Sequence, residues 1–248
     1  MSGKLIALEG IDGSGKGTQA ALLHKRLLDE GIRSTVLSFP RYQATAFGRQ
    51  IGEFLNGRFG SLDQVHPLLA SLLFAGDRFE SQALIRQSLA EYEVVLCDRY
   101  VASNIAHQAA KRIGDERREL SAWIEQLEFG IYQLPRPQLT LWLDVPVAIA
   151  QELISRKSKR NYTDQAADLQ EADGGYLQQV YNVYADLAAN QPAWRRVGCV
   201  TPVSRDAEGF RSGALRSADS ASRLTELRDV NDIATEVLEI VRCDLRAP

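Results

Sequence analysis

Residues Glu9–Gln19 read EGIDGSGKGTQ. Gly10, Gly15 and Lys16 match the G-x-x-x-x-G-K core of a phosphate-binding P-loop. The flanks agree. Leu5–Leu8 before it is a short apolar run of the kind that forms a buried parallel strand, and Thr18–Glu30 after it sets Leu22, Leu23 and Leu27 on one helical face before stopping at Gly31. Glycine lets the backbone curl so that N–H groups converge on phosphate oxygens. The positive end of the following helix faces the same anion, and Lys16 adds a full charge beside the β- and γ-phosphates. Gly10, Ile11, Asp12, Gly13, Ser14, Gly15, Lys16, Gly17 and Thr18 are therefore the expected ATP-binding residues. A ligand-free glycine turn is the alternative, disfavoured by motif and context together. One position departs from the common form: Gly17 stands where Ser or Thr usually holds magnesium, and Thr18 comes one place later.

Further along, apolar runs alternate with amphipathic stretches. Ser34–Phe39, Val94–Cys97, Leu139–Val145 and Val197–Val203 read as strands. Ala46–Leu55, Leu68–Leu89, Ser121–Leu134, Val147–Ser155, Tyr176–Asn190 and Val230–Val241 read as helices. This rhythm predicts an α/β chain of the P-loop NTPase fold, with a five-stranded parallel sheet and helices on both faces. Residues 1–248 are expected to form one domain, broken only by an atypical loop insertion at about 204–222, rich in Ser, Gly, Ala, Arg and Asp.

Of the 248 residues, 45% are hydrophobic and 25% charged, enough apolar material for one large core. The net charge of -3 supplies no global basic field for a nucleic acid or an anionic membrane, so an anionic ligand must meet local cations. Cys97, Cys199 and Cys243 form neither a metal pattern nor a disulfide framework, which suits a reducing compartment. The opening MSGKLIALEG has no signal-peptide pattern, and no apolar run is long enough for a bilayer, so a cytoplasmic location is expected.

A second cluster lies in Val94–Tyr100, VVLCDRY, where a buried strand delivers Asp98 and Arg99 to its carboxyl end. Asp98 is suited to magnesium, directly or through water, and Arg99 to bridging phosphates. Read alone, the pair is equally a salt bridge closing a strand.

Taken in order, EGIDGSGKGTQ, Phe39-Pro40-Arg41, LLFAGDR (Leu72–Arg78) and DRYVASN (Asp98–Asn104) resemble the thymidylate kinase family, over about residues 4–190. The P-loop is generic, whereas DRYVASN about 80 residues after it is far more specific. The form G-K-G-T-Q occurs among nucleoside monophosphate kinases, notably adenylate kinases, where that first position need not ligate the metal. The resemblance implies transfer of the γ-phosphoryl group of ATP to dTMP, giving dTDP and ADP for dTTP synthesis, with Mg2+ as cofactor and a homodimer as assembly. It implies that Phe39 and Arg41 meet the acceptor, that Arg41 holds its 5′-phosphate, and that Phe74 stacks on the pyrimidine. Arg78 would reach the base carbonyl or phosphate, Ser103, Asn104 and Gln108 would read the base edge, and Arg99 would sit between donor and acceptor. Asp12 would meet the sugar 3′-hydroxyl and, with Asp98, help to place the metal. His107 is a departure, because the family usually carries Tyr or Phe there, near the sugar 2′ position.

Arg156–Arg160, RKSKR, is a basic run in an acidic chain, followed by Asn161, Tyr162, Thr163 and Asp164. It reads as a solvated face or as a mobile lid at about 155–170. The P-loop contains no arginine, and some thymidylate kinases place the catalytic arginine in the lid instead. On that pattern Arg156 and Arg160 join Lys16, Arg99, Asp12 and Asp98 as catalytic residues, and Tyr162 joins the acceptor site. Two rivals remain: another nucleoside monophosphate or deoxynucleoside kinase, and a P-loop module that binds nucleotide without turnover.

Overall fold

The computed structural model describes residues 3–61, 64–156, 174–203, 216–218 and 224–246. The central sheet has five strands, β1 (Lys4–Glu9), β2 (Ser34–Ser38), β3 (Val94–Asp98), β4 (Leu139–Asp144) and β5 (Trp194–Gly198), in the order β2-β3-β1-β4-β5. Every pairing is parallel. No residue of β1, β3 or β4 is exposed. Successive side chains of a strand point to opposite faces, so both faces of the sheet are covered. The cover comes from α1 (Lys16–Asp29), α2 (Ala46–Leu55), α3 (Pro67–Glu80), α4 (Gln82–Glu91), α5 (Val101–Ala109), α6 (Gly114–Glu125), α7 (Val147–Ser155), α8 (Gly174–Asn190) and α9 (Val230–Arg246). Leu23 and Leu27 of α1 are fully buried, as the sequence pattern requires.

The strand order places the site. From β1 the chain crosses to β2 on one side, and from β3 it crosses to β4 on the other. The loops after neighbouring strands β1 and β3 thus leave in opposite directions, which opens a crevice at their carboxyl ends. The register levels those ends, with Leu8 beside Asp98 and Asp98 beside Ser38.

Three elements differ from the sequence reading. The helix expected at Leu68–Leu89 breaks at Ser81, whose Oγ donates to the Asp77 carbonyl at 2.8 Å while its own N–H bonds the same oxygen at 3.2 Å; such local bonding competes with helix continuation. The helix expected from Ser121 begins earlier, at Gly114, and runs on into a π-helical turn, Gln126–Ile131. The strand expected at Val197–Val203 divides at Cys199. Asp144, the last residue of β4, pairs with Gly198, so the chain beyond has no partner in that sheet. It continues as β6 (Val200–Val203) in an antiparallel sheet with β7 (Arg216–Ala218) and β8 (Leu224–Leu227), order β6-β8-β7. β7 falls inside the segment read as a loop insertion; the remainder of 204–222 lies outside the described residues. Among the described residues no helix is long and apolar enough to cross a membrane.

Candidate active site

The loop between β1 and α1 has the geometry that its glycines allow. Gly10, Gly13 and Gly15 adopt φ of 146°, 82° and 84°. At Gly13 a Cβ would also stand 2.3 Å from the Ala150 carbonyl oxygen, so the backbone there approaches α7 as closely as only glycine permits. Lys16 opens α1, is buried, and donates from Nζ to Gly10 O at 2.9 Å, Ile11 O at 2.7 Å and Ser14 Oγ at 3.2 Å. Burial, with Arg99 adding to it, lowers its pKa from 10.5 to about 7, against the opposing pull of Asp12, Asp98 and Glu9. An anionic phosphate beside Nζ favours the charged form. Nucleotide binding is therefore expected to take up a proton wherever free Lys16 is neutral, approaching one per nucleotide at about pH 8. Calorimetry in buffers of different ionisation enthalpy measures this; uptake that fails to rise between about pH 7 and 8 contradicts it.

The unusual Gly17 has a local reason. A Cβ at that position would lie 3.0 Å from Asp98 Oδ2, a tighter contact than side chains ordinarily make, so Asp98 occupies the space beside the first turn of α1.

Arg99 follows β3 with φ of 66°, in the left-handed region that costs a non-glycine residue of order 1 kcal/mol. Its surroundings hold it there. Its backbone N–H bonds Leu8 O at 3.1 Å, Nη2 forms an ion pair with Asp12 Oδ1, and Nη1 donates to Ser103 Oγ at 3.1 Å. Burial disfavours the Arg99 charge, but Asp12 and the anionic groups around it more than restore it. His107 completes the cluster. Tyr176 donates its hydroxyl proton to the His107 carbonyl at 2.8 Å, so the 3.1 Å contact between Tyr176 Oη and His107 Nδ1 requires the proton to sit on Nδ1. Nε2 then carries a lone pair, 3.5 Å from Arg99 Nη1. Burial lowers the His107 pKa to about 3, so the ring is neutral and its 3.7 Å approach to Asp12 is no ion pair.

Beneath this cluster lies Glu9, fully buried at the end of β1. Its carboxylate accepts from the N–H of Tyr100 at 2.8 Å and of Ser103 at 3.3 Å, capping α5, and from Ser103 Oγ at 2.6 Å and Tyr184 Oη at 3.0 Å. Glu9 thus fixes the hydroxyl that receives Arg99.

A cavity of about 390 Å³ runs from the P-loop to α3 and α5. Its far end is built on a buried pair: Arg78 donates from Nε and Nη2 to the two oxygens of Glu128 at 2.5 and 2.7 Å, with exposures of 2% and 0%. Burial opposes the Arg78 charge and Glu128 outweighs it. Asn104 Nδ2 donates to Glu128 Oε1 at 2.8 Å and to Ser71 O at 3.0 Å. Both partners are acceptors, so the amide is fixed with Oδ1 opposite, and Oδ1 is buried with no partner among the described residues. Phe74 lines the same cavity, edge-on to Phe54 at 6.3 Å. Glu128→Ala would leave the guanidinium buried and unpaired, and is expected to cost about 3–5 kcal/mol. Denaturant unfolding measures the loss; a change below about 1 kcal/mol contradicts the assigned role of the pair.

Of the residues singled out from sequence, Asp12, Gly13, Gly15, Lys16, Gly17, Phe39, Phe74, Arg78, Asp98, Arg99, Ser103, Asn104, His107 and Gln108 line this cavity together. Gly10, Ile11 and Ser14 stand behind it as partners of Lys16. Thr18 is exposed on α1. Arg41 is not brought in: its Nη1 rests on Ser81 Oγ at 3.1 Å. Arg156 is exposed beyond α7 and pairs with Glu152 at 2.7 Å. Arg160 and Tyr162, with most of the expected lid, lie outside the described residues. Glu9, Glu128, Tyr176 and Tyr184 were not found from sequence. Only Glu9 left a signal, a carboxylate ending an apolar run against the motif; Glu128 meets Arg78 across 50 positions with no pattern to announce it.

Among the described residues no group of three or more His, Cys, Asp or Glu side chains forms a metal cage. Asp98 Oδ2 at the P-loop nevertheless fits magnesium, which takes one or two carboxylates and completes its shell with phosphate oxygens and water. A parallel sheet with this loop, facing cations and an adjoining nucleoside-sized cavity define a P-loop kinase of nucleoside monophosphates. The comparisons agree. The family model described as thymidylate kinase matches residues 8–197. A thymidylate kinase of Mycobacterium tuberculosis is 35% identical over 185 residues, covering 75% of this chain and 86% of its own. One from Leifsonia xyli is 34% identical, covering 84% and 93%. A solved thymidylate kinase from Candida albicans superposes with a TM-score of 0.68 at 24% identity, over 98% of this chain and 92% of its own, and supports the fold. The chain belongs to the thymidylate kinase family.

Proposed function

We propose that the protein transfers the γ-phosphoryl group of ATP to dTMP, giving ADP and dTDP. The observation that carries the choice of acceptor is Asn104, which lines the cavity and whose amide Glu128 and Ser71 hold by its NH2 end, leaving the oxygen end without a partner among the described residues. It is a fixed acceptor and calls for a ring N–H. Thymine and uracil present one at N3, whereas cytosine presents a lone pair there and would leave two acceptors facing each other. Phe74 offers a ring face for stacking, and Arg78 keeps Nη1 as a donor not engaged by Glu128.

The acceptor phosphate has its second pKa near ~6, so it is already a nucleophile at neutral pH and needs no strong base. What must be overcome is repulsion between two anions and the charge at the transferring phosphoryl group. Lys16 holds the donor phosphates, and Arg99, locked between Asp12 and Ser103, stands where both phosphates converge. Magnesium, held by Asp98 and assisted by Asp12, would neutralise charge on the β- and γ-oxygens. Arg41 would join the acceptor phosphate by exchanging Ser81 for it, and Arg156 would leave Glu152 to act with Arg160 and Tyr162 over the donor. The reading also includes a cytoplasmic homodimer, which sedimentation tests in part.

A steady-state screen of dTMP, dUMP, UMP, dCMP and AMP with ATP and magnesium tests the assignment. dTMP is expected to give the highest kcat/KM, with dCMP lower by at least about 100-fold. AMP or dCMP turning over best would overturn it.

A further inference from the structure

Arg99 Nη1 meets two acceptors that lie one turn apart on α5, Ser103 Oγ at 3.1 Å and His107 Nε2 at 3.5 Å. Each acceptor is set in turn by a hydroxyl from α8, a helix none of whose described residues lines the cavity. Tyr184 Oη lies 2.9 Å from Ser103 Oγ and 3.0 Å from Glu9 Oε2. Burial and Glu9 push the Tyr184 phenol well above its usual pKa, so the hydroxyl stays protonated. A hydroxyl has one proton and a carboxylate only accepts, so the Ser103 and Tyr184 protons run toward Glu9, directly or through each other. Either way Ser103 keeps a lone pair for Arg99. Tyr176 does the same for His107: its hydroxyl donates to the carbonyl and accepts from Nδ1, which leaves the lone pair on Nε2. Docking of α8 does not depend on these hydroxyls. Leu177, Val180 and Val183 of the same helix are buried, and the Tyr184 ring packs against Trp194 with centres 6.5 Å apart. A buried hydroxyl costs free energy unless it is hydrogen-bonded, and phenylalanine would pack the same ring without that cost. What the two hydroxyls add is direction at Arg99.

We propose that Tyr176 and Tyr184 are positioning residues for phosphoryl transfer, which aim Arg99 by fixing the acceptor ends of His107 and Ser103. Without the Tyr176 hydroxyl the His107 proton is free to move to Nε2, where it meets Arg99 donor to donor. Without the Tyr184 hydroxyl Ser103 Oγ loses one of the groups that hold it. This rests on the placement of Arg99 at the reacting phosphates. It adds that the aim of that side chain is set from a helix behind the site.

The test is Tyr176→Phe and Tyr184→Phe, each of which removes one oxygen and keeps the ring. With ATP and dTMP each is expected to lower kcat by about threefold to tenfold, while KM for both substrates changes by less than about twofold. In an Arg99→Ala background the same changes are expected to lower kcat by less than about twofold, because no guanidinium is left to aim. Nitrogen NMR of isotope-labelled enzyme reads the His107 ring directly, and needs no variant to fold. It is expected to show the proton on Nδ1 in wild type and in Tyr184→Phe, and a share of it on Nε2 in Tyr176→Phe. Equal losses of kcat in both backgrounds, losses that fall on KM, or unchanged kcat in both phenylalanine variants overturns the inference. So does a wild-type ring that carries its proton on Nε2. If Arg99→Ala itself keeps wild-type kcat, or wild-type enzyme fails to turn over dTMP, the underlying reading has failed instead.

Discussion

Arg99→Ala is expected to lower kcat by at least about 100-fold with the fold intact, the scale of losing one preorganised charge stabiliser. The reason is the number of groups committed to that one guanidinium. Asp12 takes Nη2, Ser103 takes Nη1, His107 offers a lone pair to Nη1, and buried Glu9 fixes Ser103. The side chain is thus aimed before substrate arrives, and no reorganisation is needed at the moment of transfer. A companion variant separates backbone from charge. Alanine inherits the strain of φ 66°, and glycine does not. Arg99→Gly should therefore be more stable than Arg99→Ala by about 1 kcal/mol and equally impaired. Near-normal turnover in either purified variant contradicts the placement of Arg99 at the reacting phosphates.

Lys16→Ala is expected to lower kcat by a similar factor of at least about 100, because in the proposed mechanism Lys16 is the cation that the P-loop aims at the donor phosphates. Its stability effect has a definite sign. The folded-state pKa, about 7, lies below the ordinary 10.5, so between these values the unfolded chain holds a proton that the folded chain does not. Stability due to Lys16 therefore rises with pH across that window, and its charge penalises the fold most below about pH 7. Lys16→Met, similar in volume and uncharged, should compare best with wild type near pH 6 and lose that advantage as pH climbs toward about 10. Unfolding midpoints across this range measure it. A stability gap independent of pH would mean that Lys16 does not titrate in that window.

The sequence made the frame of this site legible, and the reasons are local. A P-loop is a contiguous signal, because its backbone curl, helix end and lysine must be neighbours in the chain. Asp98 and Arg99 were legible for a related reason, since a buried strand delivers whatever follows it to the edge where ligands sit. The polar scaffold was not. Glu128 supports Arg78 and Asn104 from a π-helical turn that no periodicity marks. Tyr176 sets the tautomer of His107 from α8, 69 positions away. Such contacts are products of packing, and a single sequence carries no pattern for them. Motif order puts Arg41 beside the acceptor, but its contact with Ser81, 40 positions away, left no mark in the sequence. The break at Ser81 and the transfer of β6 to a second sheet likewise depend on hydrogen-bond partners that residue type alone does not specify.

The most direct measurement follows the phosphoryl group itself. Purified enzyme is supplied with ATP labelled at the γ-phosphate, magnesium and dTMP, and the label is traced by chromatography. The account predicts that label enters dTDP in step with ADP, that little appears as inorganic phosphate, and that Arg99→Ala removes the dTDP signal. ATP cleaved to labelled phosphate without labelled dTDP, or nucleotide bound with no turnover of dTMP, would contradict it.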